Sequence, residues 1–534
     1  MTDKSFLDTT YPACRKILGG NLWSAARDEY PFDSPDIFPD FLSSFARLPA
    51  TMAYIPDLAR LELAVHRVAG YVPAEPGRNY ELNPCLDLLD LGWNGLCSML
   101  RQGDKRKVRR PEKNNEKVLV WKHDDDVLFR PATANDLLAL KLVLENISIP
   151  EAAERAKRPS SYIWPVINEA RRNGILVGKK SRITRDPAVL EMDSDLAMKY
   201  NHAQVFTLQW HVTQACDLSC RHCYGRESRD FLGLDNALKV LEDFRRFCEI
   251  KNVHGQVSLT GGNPLLHPDL EKIHEAASGM GFTVGILGNP ASEEKMKSLL
   301  EKGPVSFFQV SLEGLADHND YIRGQGHYER VLEFLDVLKR LGIYSMVMLT
   351  LTKANTGQVL SLARELQDRA DLFTFNRLSM VGDGAHLTPA GKDEFNALLA
   401  GYHEQARTKS VMGFKDNLLN LFRYKHGQRL FGGCTGYGCG AAFNFVSVLC
   451  DGEVHACRKF PSRLGNIFEN SLEQIYDSEI TAKYRKGSEV CAGCPISRVC
   501  GGCLAVTYSH GLDIFMDRDP YCFMNTDAGQ FQTK

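Results

Sequence analysis

The chain has 534 residues, enough for three or four domains at roughly 100–200 residues each. It is 44% hydrophobic and 24% charged with a net charge of −2, so it reads as a globular protein with no field to draw nucleic acid or a membrane surface. No run of about 18 apolar residues predicts a transmembrane helix. Met1-Thr2-Asp3-Lys4-Ser5-Phe6-Leu7 lacks the apolar core of a signal peptide. The expectation is a cytoplasmic protein whose sixteen cysteines serve mainly as metal ligands rather than disulfides.

Residues 1 to about 100 read as helical, giving a helical N-terminal domain over 1–112. Tyr54 to Val68 places apolar side chains at helical spacing, with Asp57 near the start as a cap. The stretch from Phe41-Leu42 to Ala64-Val65, with Pro56-Asp57-Leu58-Ala59-Arg60-Leu61-Glu62, resembles the helical domain of small accessory proteins that partner metal-dependent enzymes; an ordinary helical cap domain is the alternative. Residues 101–117, with Lys105-Arg106-Lys107 and Arg109-Arg110, read as a solvated linker. Residues 113–190 predict a winged-helix-like module. A strand-like start, Val118-Leu119-Val120-Trp121, precedes two helical patterns, Asp136–Leu144 and Tyr162–Asn173, and Gly174 ends the second before Ile175-Leu176-Val177. Such a module can hold a peptide leader by adding a strand to a sheet edge. A DNA-binding winged helix would need a strongly basic second helix, which is not there.

Residues 200–400 alternate strands and helices, the pattern of parallel βα units. The strand candidates are Val205–Trp210, Gln256–Thr260, Thr283–Leu287, Ser306–Leu312 and Tyr344–Thr350, with Arg377 near a sixth. The α/β assembly they predict is a partial (β/α)6 barrel, whose ligands would sit at the carboxyl ends of its strands.

The loop after the first strand contains Cys216, Cys220 and Cys223 in a C-x3-C-x2-C spacing. Three thiolates this close can hold three corners of a 4Fe–4S cube and leave one iron open to a small molecule. A structural zinc site wants four ligands, and His222, the nominal fourth, adjoins Cys223 and would strain a tetrahedron. The motif resembles the signature of the radical S-adenosylmethionine (SAM) enzymes. That resemblance implies SAM on the open iron, cleaved by electron transfer to methionine and a 5′-deoxyadenosyl radical, with the three cysteines at the catalytic centre. Gly261-Gly262-Asn263-Pro264, after the second strand, stands where the family has Gly-Gly-Glu-Pro against the SAM amino group; Asn263 keeps an acceptor oxygen but not the charge. Ser311, in Ser311-Leu312-Glu313-Gly314, and Arg323, in Tyr321-Ile322-Arg323-Gly324, follow the fourth strand and are implied SAM contacts, Arg323 through the carboxylate. His222 takes a position beside the adenine. Asn355 and Arg377 are weaker candidates.

The C-terminal part, residues 401–534, holds the second constellation: Cys434, Cys439, Cys457, Cys491, Cys494, Cys500, Cys503 and Cys522. Cys491-x2-Cys494 with Cys500-x2-Cys503 alone would suit one zinc ion, leaving the other four unexplained. The whole pattern resembles the SPASM extension of radical SAM enzymes, which implies two auxiliary 4Fe–4S clusters and three in all. The interlaced family pattern implies Cys434, Cys439, Cys457 and Cys503 on the first and Cys491, Cys494, Cys500 and Cys522 on the second. The final spacer has two residues, Gly501-Gly502, where the family has three. Cys14, Cys85, Cys97, Cys248 and Cys450 lie outside both patterns as small hydrophobes.

Together these features resemble radical SAM/SPASM peptide maturases, and more narrowly those associated with thio(seleno)oxazole modification. The resemblance implies oxidation of a ribosomally made, Cys-containing precursor peptide, with an electron donor such as ferredoxin or flavodoxin and no nucleic-acid or membrane partner. A formylglycine-type protein maturase, a thioether-forming peptide cyclase and a non-catalytic iron–sulfur scaffold are the alternatives.

Overall fold

The computed structural model describes residues 4–72, 76, 80–102, 110–123, 126–156, 163–185, 200–225, 229 and 231–524. They fall into two compact units, one of residues 1–155 and 165–179, the other of residues 156–164 and 180–534.

In the first unit, the helices Pro12–Glu29, Phe38–Ser44 and Ile55–Gly70 close around an aromatic core. The rings of Tyr11, Trp23 and Tyr30 lie 5.0, 5.6 and 5.1 Å from that of Phe38. The buried Glu62 carboxylate accepts from the Ala13 and Cys14 amides at 2.6 and 2.9 Å, satisfying donors that the start of helix Pro12–Glu29 leaves open. Asp57 does not cap its helix. It lies in the first turn and accepts from the Gly92 amide at 2.7 Å, tying the helix to a sheet.

The strands of this unit are β1 (Glu81–Leu82), β2 (Leu86–Asn94), β3 (Glu112–His123), β4 (Asp126–Pro131) and β5 (Leu176–Val177). β2, β3 and β4 form an antiparallel sheet, and β1 pairs antiparallel with β5. Two expectations are corrected here. Residues 86–94 are strand, not helix: Leu89, Leu91 and Trp93 alternate toward the core, a period of two that the leucine-rich composition hides. Residues 112–117 are not linker but the start of β3, where Lys117 pairs with Asp90 at 2.7 Å. Residues 103–109, with Lys105, Arg106, Lys107 and Arg109, lie outside the described residues. Three helices follow β4, Ala134–Leu144, Ile149–Ala156 and Trp164–Arg172, where the pattern predicts two. The first opens with a Thr133–Asp136 capping box.

The second unit is built on one nine-stranded sheet. Its strands are β6 (Val205–Thr213), β7 (His254–Gly261), β8 (Thr283–Leu287), β9 (Phe307–Ser311), β10 (Ser345–Leu351), β11 (Leu372–Arg377), β12 (Phe445–Val448), β13 (Glu453–His455) and β14 (Arg463–Asn466). Their order is β11-β10-β9-β8-β7-β6-β12-β13-β14. β6 to β11 are parallel neighbours in sequence order, separated by helices such as Leu234–Lys251 and His327–Leu341. This is the expected parallel partial barrel. On β6, Phe206, Leu208, Trp210 and Val212 enter the main core, and Thr207, Gln209, His211 and Thr213 take the other face. β12 continues the sheet parallel to β6, and β13 and β14 extend it antiparallel, so the C-terminal cysteines hang from the same sheet as the barrel.

Candidate active site

The parallel strands deliver their following loops to one edge of the sheet, and most of the sequence-predicted site residues arrive there. The loop after β6 carries Cys216, exposed, and Cys220 and Cys223, half-buried. Burial raises the Cys220 thiol, Arg323 pulls it down, and Cys216 and Cys223 act on it as neighbouring thiols.

The Gly-Gly-Asn segment is fastened along this loop by its backbone. The Gly262 amide donates to Thr213 O at 2.9 Å and the Asn263 amide to Ala215 O at 2.7 Å. Gly261 has φ +140, and a Cβ there would stand 2.1 Å from Thr213 O; one on Gly262 would stand 2.3 Å from Ala215 O. Both glycines are therefore required by the close approach of two loops. Asn263 is buried and turns inward: its Nδ2 donates to Asp217 Oδ1 at 3.0 Å and its Oδ1 accepts from the Leu265 amide at 3.2 Å, across the buried Pro264. Asn289, after β8, donates to the same Asp217 oxygen at 2.6 Å and lies 3.7 Å from Cys216 Sγ. Two amides thus hold the residue beside the first cysteine. Asn289 escaped the sequence reading, although Gly288-Asn289-Pro290 after a strand is a turn signal of the same kind as Gly262-Asn263-Pro264.

Glu313 is the second residue that the reading missed. It is 1% exposed, takes Arg323 Nε and Nη2 at 2.9 and 2.6 Å on Oε1, and takes the Thr350 amide at 2.7 Å on Oε2. Burial would raise its carboxyl, but His222, Arg323 and the Thr350 amide outweigh it and hold it below the usual range. Arg323 Nη1 lies 3.8 Å from Cys220 Sγ. His222 Nε2 lies 3.4 Å from both Glu313 and Arg323, and burial lowers its imidazole. Ser311 ends β9, half-buried, opposite Met348. Asn355 is fully engaged with Glu313 O, Thr350 O and the Thr352 amide, and so is a structural cap. Arg377 is likewise taken, by Asp416 at 2.8 Å and Asp519 at 2.8 and 2.6 Å. A cleft of about 910 Å³ opens over the cysteine loop, lined by Asp217, Ser219, Arg221, Tyr321, Arg323 and His386 among others.

The C-terminal cysteines act on one another electrostatically within two groups. Cys439, pushed up to about 12, and Cys457, to about 11, are raised chiefly by burial and further by Cys434 and Cys503. Cys491, about 11, is raised by burial and then by Cys494 and Cys522; the latter two also act on Cys500. The loops bearing them touch through glycines: a Cβ on Gly438 would lie 2.9 Å from Arg498 O and Cys500 N. Gly501 and Gly502 sit at φ +63 and +62, and the Gly502 amide points at Cys500 Sγ, 3.5 Å away. Two successive left-handed residues turn the short spacer. The Cys503 amide donates to Asp519 Oδ2 at 2.8 Å. Arg185, half-buried, donates to Tyr437 O and Cys439 O at 2.6 and 3.0 Å, and desolvation of its guanidinium brings it down to about 10. All sixteen cysteines are free thiols. Among the described residues, no three His, Cys, Asp or Glu side chains gather as a site for a single metal ion. Cysteine thiolates are the ligands that iron–sulfur clusters take.

Residues 210–366 match the Radical SAM superfamily model, and residues 439–495 match SPASM, an iron–sulfur cluster-binding domain. The chain is 27% identical over 347 residues to the AdoMet-dependent heme synthase of Methanosarcina barkeri, covering 59% of this chain and 95% of that protein. It is 26% identical over 314 residues to the antilisterial bacteriocin subtilosin biosynthesis protein AlbA of Bacillus subtilis, covering 55% of this chain and 66% of AlbA. Over 336 residues it is 25% identical to the mycofactocin maturase MftC of Mycolicibacterium smegmatis, covering 59% of this chain and 82% of MftC.

Proposed function

From a chain that carries a radical SAM domain and a SPASM domain, we propose an enzyme that oxidatively modifies a ribosomally made, Cys-containing precursor peptide. The observation that carries this reading is the pairing of a three-cysteine loop over a cleft with eight further cysteines in the segments around strands that continue the same sheet. Similarity to AlbA and MftC supports a peptide substrate.

Cys216, Cys220 and Cys223 would hold the cluster that binds SAM, and His222, Gly261, Gly262, Asn263, Pro264, Ser311 and Arg323 would surround SAM. Cys434, Cys439, Cys457 and Cys503 would hold one auxiliary cluster, and Cys491, Cys494, Cys500 and Cys522 the other. When bound, these groups would supply one-electron reduction and hydrogen-atom abstraction. Asn263 and Asn289 fix Asp217 and so the direction of Cys216. Glu313 holds Arg323 at the loop, where the guanidinium can exchange toward a SAM carboxylate. The polar inner face of β6 offers the substrate hydrogen-bonding groups away from water.

The module at 113–190 is assigned to the peptide leader: among the described residues its strand β4 ends the β2-β3-β4 sheet, and a sheet edge is the surface that accepts an added strand. The bond formed is assigned to the thio(seleno)oxazole type, with ferredoxin or flavodoxin as donor, in the cytoplasm. Among the described residues, no helix is long and apolar enough to cross a membrane. A small-molecule substrate is the second reading, favoured by the heme synthase match over 95% of that protein.

The test is mass spectrometry of a Cys-containing peptide encoded beside the gene, after co-expression. Loss of whole hydrogens at the Cys site, abolished by Cys216→Ala, supports the reading. A thioether linking two residues replaces the oxazole assignment. An unchanged peptide with intact SAM cleavage turns the search to protein or tetrapyrrole substrates.

A further inference from the structure

Three arginines with little solvent exposure stand beside the cysteines, Arg377 buried and Arg185 and Arg323 half-buried, and they differ in their counter-charges. Arg323, near Cys220, is paired with Glu313, and Arg377, near Cys503, is paired with Asp416 and Asp519. Arg185, beside Cys439, has no carboxylate among the described residues. Its guanidinium spends two hydrogen bonds on the Tyr437 and Cys439 carbonyls and stacks 4.2 Å over the Phe443 ring. Its Nε is buried without a hydrogen-bond partner. Arg498, 2% exposed and bonded to Asn201, adds a second buried positive charge that acts on Arg185.

The placement is built rather than incidental. Residues 183–185 pair with 201–203 through Ala203 N to Ile183 O at 3.0 Å, Arg185 N to Asn201 O at 2.9 Å and a Thr184–His202 bridge. The Gln204 amide adds a bond to the Tyr437 hydroxyl at 3.2 Å. Arg185 and Gln204, at either side of this pairing, both bond to the loop of residues 436–440.

Burying an uncompensated cation is costly. The cost is offset if an anion occupies the neighbouring thiol set, and four thiolates on a 4Fe–4S cube carry a net negative charge. Net charge and hydrogen bonding around a cluster set its reduction potential. We infer that Arg185 is the counter-charge and positioning residue of the cluster held by Cys434, Cys439, Cys457 and Cys503, and that it raises this cluster's reduction potential. The inference rests on the reading that these cysteines hold a cluster.

The experiment uses reconstituted full-length protein with Cys216, Cys220 and Cys223 changed to Ala, so that only auxiliary signals remain. Iron content and an electron paramagnetic resonance redox titration compare this background with added Arg185→Gln and Arg185→Lys. The expected result is a more negative midpoint for one of the two clusters in Arg185→Gln, largely restored in Arg185→Lys. Loss of one four-iron cluster in Arg185→Gln with retention in Arg185→Lys also supports the assignment. Both clusters present at unchanged midpoints in Arg185→Gln would overturn it. So would equal losses in both variants. Absence of cluster signals before Arg185 is changed would instead overturn the cluster reading, and the inference with it.

Discussion

The barrel cysteines and the C-terminal cysteines are both held by backbone and side-chain bonds, and they differ in what those bonds face. The barrel loop is positioned by side chains: Asn263 and Asn289 on Asp217, and Glu313 with Arg323 and His222 behind Cys220. It faces a cleft, and Cys216 is exposed. The C-terminal loops combine close contacts at glycines with side-chain clamps: Asn417 accepts from the Cys434 amide at 2.7 Å, and Asp519 from the Cys503 amide at 2.8 Å. A loop that must admit and release a small molecule needs adjustable contacts.

The largest effects separate the two regions outright. Cys216→Ala is expected to abolish SAM cleavage to background while sparing the auxiliary iron. Cys503→Ala is expected to spare SAM cleavage, lose iron from one C-terminal set and lose the peptide product. Iron analysis and chromatography of the SAM products check both. Equal loss in the two variants would erase the distinction.

Next is Glu313→Gln. Removing the charge on one side of a buried ion pair strands the other, at a cost of about 3–5 kcal/mol. The urea midpoint should fall accordingly, and SAM affinity should drop as Arg323 loses its anchor. A midpoint unchanged from wild type would mean that the barrel loop does not depend on this pair.

The division also explains what was legible. The cysteine spacings, the Gly-Gly-Asn-Pro turn and the alternation of βα units are local signals, and they pointed to the parallel sheet and the loops at its edge. Asn289 and Glu313 were not found because their roles exist only after β8 and β9 stand beside β7 and β10. Asn355 and Arg377 lie at strand ends like true site residues, yet long-range partners such as Asp519 claim them. In the first unit, Leu86 to Asn94 misled because a leucine-rich stretch with partial alternation suits either helix or strand, and only pairing with β3 decides it.

His211 offers a smaller, pH-dependent test of the barrel interior. Burial, then Arg458, His455 and Arg229, bring its imidazole from 6.5 down to about 3. The folded state therefore keeps it neutral where the unfolded chain protonates. Its stability contribution is full above the unfolded pKa and is lost as pH falls from about 6.5 toward 3. Cluster-free protein should lose about 2 kcal/mol between pH 7 and pH 5 through this one group. His211→Leu should flatten that part of the profile in denaturant titrations. An identical slope in the variant would mean that the imidazole is solvated.

The smallest change probes the C-terminal loops with a single methyl group. Gly502 and Gly493 both lie in two-residue spacers between cysteines. Gly502 sits at φ +62, and an added Cβ would stand 2.7 Å from Asp519 Cβ, whose carboxylate is already committed to Arg377 and the Cys503 amide. Gly493 has nothing within 4 Å of the same atom. The left-handed conformation alone costs an alanine about 1–2 kcal/mol, and the contact with Asp519 shifts Cys503. Gly502→Ala should therefore lower the thermal midpoint and release iron faster to a chelator. Gly493→Ala should stay within about 0.5 kcal/mol of wild type. Equal chelation rates would mean that the loops hold their cysteines by the metal alone, and that backbone contact between them is a consequence of cluster binding rather than its cause.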